Sequence, residues 1–133
     1  MCVFCKIVAG EIPSYKLYED DDVLAFLDIA QVTTGHVLVI PKKHYKDIFA
    51  LDKDIAQKLF AATVEMAQKL QKNLKINDLN LVNNNGKKAG QEVDHYHLHL
   101  LPRYLDDDVE FKFKRQNLSQ DEMKKIQEKI LDS

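Results

Sequence analysis

Three imidazoles stand at alternate positions in the run Asp94, His95, Tyr96, His97, Leu98, His99, Leu100. On an extended strand, side chains at i, i+2 and i+4 share a face. His95, His97 and His99 then line one side, and Tyr96, Leu98 and Leu100 take the other. A helix would turn the middle histidine away from its neighbours. Imidazole exchanges protons near neutral pH, and its neutral ring is a nucleophile and a metal ligand. A surface strand with incidental histidines is the plainer reading, but strict alternation with large apolar partners argues against it. A rise of about 3.3 Å per residue sets His95 and His99 about 13 Å apart at their backbones. Three such rings cannot easily hold one metal, whereas a His-x-His pair can bind zinc.

Two further groups of residues bear on chemistry. Cys2 and Cys5, the two cysteines of the chain, form a C-x-x-C pair. In a reducing compartment that spacing suits zinc or a thioredoxin-type redox pair better than a disulfide, with simple packing also open. Ahead of the histidine run, Asn84, Gly86, Gly90 and Gln91 offer amides and exposable backbone N–H groups. Such a loop either cradles a phosphate or is an ordinary turn. A nucleophilic imidazole beside a phosphate cradle would attack phosphorus.

These groups need a scaffold. The chain has 133 residues, 45% of them apolar, enough for one domain around one core. No run approaches the roughly 20 apolar residues of a membrane span. The N-terminus lacks a basic region followed by an apolar core, so a cytoplasmic address is expected. The net charge of −2, with acids and bases interspersed, argues against coating a nucleic-acid polymer. It leaves room for a single nucleotide in a local pocket.

Lys16–Glu19 and Val23–Asp28 read as a hairpin around Asp20, Asp21 and Asp22. His36–Ile40 reads as a buried central strand, ended by Pro41. Asp52 can cap a long helix to about Leu74, with Ile55, Leu59, Thr63, Met66, Leu70 and Leu74 as its buried stripe. Leu79–Val82 is a strand, and Glu92–Leu101 is the strand that bears the histidines. Ser119 and Glu122 form a capping box for a last helix, with Met123, Ile126 and Ile130 on one face. The order predicts an α+β domain with a mainly antiparallel sheet.

His95, Tyr96, His97, Leu98, His99, Leu100 and Leu101 match the pattern His-φ-His-φ-His-φ-φ, with φ apolar. Gly90 to Val93, Phe26 to Ile29 and His36 to His44 match flanking patterns of the same family. On these residues the sequence resembles the histidine triad (HIT) superfamily of nucleotide hydrolases and transferases. It looks closest to the small Hint-like branch and its bacterial relatives.

The resemblance implies a five-stranded antiparallel sheet with two helices; with the last helix read from Ser119 and Glu122, the expected fold is a five-stranded mainly antiparallel sheet with one long helix, a short N-terminal helix and a C-terminal helix. One HIT domain over 1–133 is expected, with a core of about 4–103 that the resemblance covers and an extension of about 104–133 without a counterpart in it. His97 would attack the α-phosphorus of a purine nucleoside phosphoramidate or related conjugate, forming a nucleotidyl-histidine that water hydrolyses. His99 would contact phosphate oxygens, and His95 would support the nucleophile. Asp28 would bond the ribose hydroxyls, and Phe4, Ile7, Ile12, Phe26 and Ile29 would grip the base. Asn84, Gln91, Glu92 and Val93 would cradle the phosphate. Cys2, Cys5, His44 and His95 would hold a structural zinc, with no cofactor needed for the chemistry itself. Small members pair as homodimers through the long helix and the adjacent strand.

Animal Hint proteins carry a serine where Glu92 stands, and a C-terminal tryptophan that this chain lacks. Leu101, Pro102 and Arg103 also resemble the branch that hydrolyses dinucleoside polyphosphates. A nucleotide-binding or scaffold protein, and a metallohydrolase with His95 and His97 as zinc ligands, are the other readings.

Overall fold

Five strands form one sheet in the computed structural model, which describes residues 2–132. Met1 and Ser133, the ends of the expected domain, lie outside the described residues. The strands are β1 (Lys16–Glu19), β2 (Val23–Leu27), β3 (Val37–Pro41), β4 (Leu79–Val82) and β5 (Leu98–Pro102). Their order is β1-β2-β3-β5-β4, and each neighbouring pair is antiparallel. Helix α1 (Val3–Val8) precedes the sheet, α2 (Lys53–Leu74) connects β3 to β4, and α3 (Gln120–Leu131) ends the chain.

The side-chain alternation of β2 and β3 divides the core into two layers. Val23, Ala25, Val37 and Val39 face α2, where Leu59, Ala62, Met66 and Leu70 pack on them. Tyr96, Leu98 and Leu100 join this layer, as their alternation with the histidines requires. Leu24, Phe26, Leu38 and Ile40 face the other way and are covered by Phe4 and Ile7 of α1. The histidines therefore lie on the α1 side of the sheet.

Asp52 caps α2 by accepting from the Ile55 N–H at 3.1 Å, satisfying one of the helix's unpaired donors. Of the expected stripe, Leu59, Thr63, Met66 and Leu70 are buried, Ile55 is half-buried, and Leu74 is exposed. Ser119 and Glu122 form the expected capping box, but α3 buries none of its residues, and Met123, Ile126 and Ile130 are exposed. Among the described residues no helix is long and apolar enough to cross a membrane.

The histidine strand is shorter than expected: it begins at Leu98 rather than Glu92. Upstream, the backbone bends through Val93–His95, and the Tyr96 N–H donates to the Tyr45 carbonyl at 2.6 Å. The neighbouring strand explains the break. Register with β3 runs from Val37–Leu100 to Val39–Leu98, and β3 ends at Pro41, which has no N–H to offer. Asp28 and His36 likewise fall just outside β2 and β3.

Candidate active site

His97 and His99 line a cleft of about 350 Å³ together with Phe4, Asp28, Leu38, Asn84, Glu92 and Val93. Each wall comes from a different element. Asp28 follows β2, His99 lies on β5, Asn84 and Glu92 belong to the loop leaving β4, and Phe4 comes from α1.

His97 is only 6% exposed, yet it reaches this cleft. Phe4 packs edge-on against its ring, with centroids 5.1 Å apart. Its Nδ1 lies 2.7 Å from the His95 carbonyl. A carbonyl only accepts, so Nδ1 carries the proton and Nε2 keeps its lone pair. The His97 carbonyl in turn accepts from Asn83 Nδ2 at 2.9 Å, which ties this stretch to the end of β4.

His99 is held differently. His36 Nε2 lies 2.9 Å from His99 Nδ1 and 3.6 Å from Asp28 Oδ2, and His36 Nδ1 accepts from the Val32 N–H at 3.3 Å. His36 Nε2 therefore bears the proton and donates to His99 Nδ1, leaving Nε2–H as the remaining donor of His99. Burial, then the neighbouring imidazoles of His97 and His36, push the His99 pKa down to about 4. Burial also pushes His36 down, against the opposing pull of Asp28. Both rings are thus neutral hydrogen-bonding groups near pH 7.

The contact with His36 is not visible in the sequence reading, which places that residue only as the start of a strand. Leu38 pairs with His99, so His36 shares a face with it two residues away. Strand register would have found the contact, but register is set by the partner strand rather than by local pattern.

Several expected site residues do not line the cleft. Phe26 and Ile7 are buried in the layer beneath, and Ile12 packs against that layer. Ile29 stands 88% exposed, next to Asp28 in the chain. Gln91 is buried with its amide committed. Its Oε1 accepts from the Gly86 N–H at 2.8 Å, and its Nε2 donates to the Lys46 and Val93 carbonyls at 2.7 and 2.9 Å. Gln91 therefore holds the loop in shape and has no free donor for a phosphate. Gly90, at φ 92°, closes the same turn in a left-handed conformation that a side chain would strain.

A second cluster lies behind the cleft. Cys2, Cys5, His44 and His95 offer one donor atom each, all within 4.8 Å of one another. His44 Nδ1 is 3.3 Å from Cys5 Sγ and 3.6 Å from Cys2 Sγ, and His95 Nδ1 is 3.5 and 3.4 Å from the same sulfurs. A tetrahedral zinc, with bonds of about 2.3 Å to sulfur and about 2.0 Å to nitrogen, spaces sulfur and nitrogen about 3.5 Å apart. His95 Nε2 donates to the Pro41 carbonyl at 2.8 Å, so its Nδ1 lone pair faces the sulfurs. The donor set and the spacing fit zinc. Four protein donors close the coordination shell, as in structural rather than hydrolytic sites. His97 belongs to neither of the metal-competent clusters among the described residues, the other being Asp28, His36 and His99.

The HIT domain family model matches residues 9–106. Protein hit of Bacillus subtilis is 52% identical over 103 residues, covering 77% of this chain and 71% of that protein. Adenosine 5'-monophosphoramidase HNT1 of Saccharomyces cerevisiae is 44% identical over 102 residues, covering 77% of this chain and 62% of that one. A crystal structure of a HIT family member from Bacillus subtilis superposes with a TM-score of 0.93 at 44% identity, over 97% of this chain and 94% of the other. A zinc-bound histidine triad protein from Mycobacterium smegmatis gives 0.77 at 37% identity, over 86% and 84% of the two chains. Together with the row of imidazoles on one face of an antiparallel sheet, these matches show that the chain belongs to the HIT family.

Proposed function

We propose that the protein hydrolyses purine nucleoside phosphoramidates or related conjugates through a nucleotidyl-histidine at His97. The observation that carries this reading is the hydrogen bond from His97 Nδ1 to the His95 carbonyl, in a ring that reaches the cleft. It leaves the Nε2 lone pair free to attack. The Nε2–P bond forms as the bond from phosphorus to the leaving group breaks, and that group departs with its electron pair and takes a proton from solvent. The positive charge that develops on the ring meets the His95 carbonyl oxygen. The remaining N–H of His99 donates to a phosphate oxygen. Water then attacks the same phosphorus, the Nε2–P bond breaks, and nucleoside monophosphate leaves. One difficult displacement becomes two easier ones.

Asp28 accepts from the ribose hydroxyls, while Phe4 and Val93 offer apolar surface to the base. Asn84 and the backbone beside Glu92 and Val93 hold the phosphate. The naming of the yeast relative as a monophosphoramidase supports an amine leaving group. Zinc, if bound by Cys2, Cys5, His44 and His95, would supply a cross-link between α1 and the histidine-bearing segment. A reducing cytoplasm suits this pair of free thiols. We read the chain as one HIT domain, with an arm beyond Arg103.

Of Leu101, Pro102 and Arg103, which resemble the polyphosphate-hydrolysing branch, Arg103 has its guanidinium held within the fold. It makes a two-pronged pair with Asp107 at 2.9 Å per contact and donates to Asn80 Oδ1 and the Val109 carbonyl, each at 2.7 Å.

The decisive experiment is to quench the reaction with an adenylated amine and map the adduct by mass spectrometry. An adenylyl group on His97 is expected. An adduct on another residue, or turnover with no adduct at all, would overturn the assignment.

A second copy of this chain is the proposed partner. Phe60 and Val64 of α2 stand 55% and 43% exposed, beside an apolar groove walled by Ile48, Leu51 and Tyr96. Sedimentation equilibrium should give twice the chain mass, and Phe60→Asp should halve it. A monomeric parent would end this part of the reading.

A further inference from the structure

Glu92, exposed on the loop leaving β4, lines a cleft whose chemistry needs a phosphate. Asp28 and Glu92 both line it, and among the described residues no lysine or arginine does. His99, held neutral by burial, supplies no compensating charge. Lys87 and Lys88 belong to the same loop as Glu92 and are exposed like it, but they stand outside the lining. Arg103 is tied to Asp107. The site therefore presents two negative groups and, near neutral pH, mainly hydrogen-bond donors to offset them.

The two residues come from different banks of the cleft. Asp28 follows β2, and Glu92 stands on the loop leaving β4, with β3 and β5 between them in the strand order. His97 and His99 come from the segment between the banks. A nucleotide whose ribose meets Asp28 and whose phosphorus meets His97 directs its leaving group toward Glu92. A leaving group made of further phosphates brings additional negative charge to that bank. An amine brings none, and a cationic amine brings the opposite sign.

We propose that Glu92 is a specificity residue, which rejects nucleotides with a phosphate leaving group and admits those with an amine, cationic amines best. The orientation of the substrate rests on the nucleotidyl-transfer reading above. A unit charge about 6 Å from the carboxylate, at an effective dielectric of about 40, changes affinity roughly tenfold.

The test compares the parent with Glu92→Gln, which keeps shape and removes charge. Three substrates are used: AMP linked to a neutral amine, AMP linked to a cationic diamine, and diadenosine tetraphosphate. Relative to the neutral conjugate, kcat/KM for the tetraphosphate should rise about tenfold in the variant, and that for the cationic conjugate should fall about tenfold. Both shifts should shrink in high salt. In parallel, calorimetry of AMP and ATP binding should show ATP gaining roughly tenfold on AMP in the variant. Equal changes for all substrates would overturn the proposal, as would a parent that prefers the tetraphosphate with or without magnesium. The binding ratio separates the two failures. If it shifts in a protein that forms no adduct, charge selection by Glu92 stands and the nucleotidyl-transfer reading falls. If turnover proceeds through His97 with neither ratio shifted, the reverse holds.

Discussion

Replacing His97 with alanine should lower kcat/KM for an adenosine phosphoramidate by about 10³-fold or more, with the fold retained. No other ring in the cleft can take over. His99 Nδ1 is occupied by His36, and its other nitrogen carries the proton. His95 Nε2 donates to Pro41, and its Nδ1 faces the two cysteine sulfurs. His97 alone combines a proton fixed on one nitrogen with a lone pair on the other and access to the cleft. Truncation removes the edge-on contact with Phe4 and leaves the His95 carbonyl without that donor. Such losses destabilise by about 1–3 kcal/mol each at most. The hydrogen bond from Asn83 goes to the backbone carbonyl of residue 97 and survives the change. Activity and stability should therefore separate. Single-turnover kinetics should show the chemical step lost, while circular dichroism and thermal melting report a folded protein. A variant that hydrolyses at the parent rate would show that nucleotidyl transfer does not pass through this ring.

Much of this arrangement is legible in the chain. Alternation assigns Tyr96, Leu98 and Leu100 to the α2 layer and the histidines to the other face, and the structure agrees even where the ladder is broken. Asp52 and Ser119 mark helix starts because their side chains serve the first unpaired N–H groups, a strictly local interaction. What depends on distant partners is harder to see. The bend before Leu98 follows from β3 ending in proline and from the Tyr45 carbonyl, neither of which lies near residue 95 in the chain. Phe26 and Ile7 carry the apolar character expected of a base slot, but core and slot use the same residue types, and here both side chains pack in the layer beneath. Gln91 has free amide chemistry on paper, and only the folded loop shows that the backbone has already claimed it. The meeting of Cys2 and Cys5 with His44 and His95, 39 to 93 residues apart, was implied by family resemblance and by nothing in local spacing.

With zinc held by Cys2, Cys5, His44 and His95 as proposed, chelation, or combining Cys2→Ser with Cys5→Ser, should lower the melting temperature by about 10–20 °C and remove about one equivalent of zinc per chain. The size follows from how little else fastens the N-terminus. Helix α1 spans six residues, too few to persist by its own hydrogen bonds. Phe4 and Ile7 dock it apolarly, and Cys2 and Cys5 lie at its start. His95 is fully buried, and with no ion its Nδ1 faces two thiols, which are weak donors. Burial, and then the neighbouring Cys2 sulfur, push the Cys5 thiol up, away from the thiolate form, and a bound cation would reverse that preference. Loosening α1 also loosens Phe4, which packs on the His97 ring, so kcat/KM should fall several-fold even below the melting transition. On the proposed mechanism it should not vanish, because His97 belongs to neither metal-competent cluster among the described residues. Elemental analysis, melting curves and assays of stripped protein at low temperature check all three points. Unchanged melting in the double cysteine variant would remove the structural site. Complete loss of turnover on stripping, with the fold intact, would instead make the ion part of the chemistry.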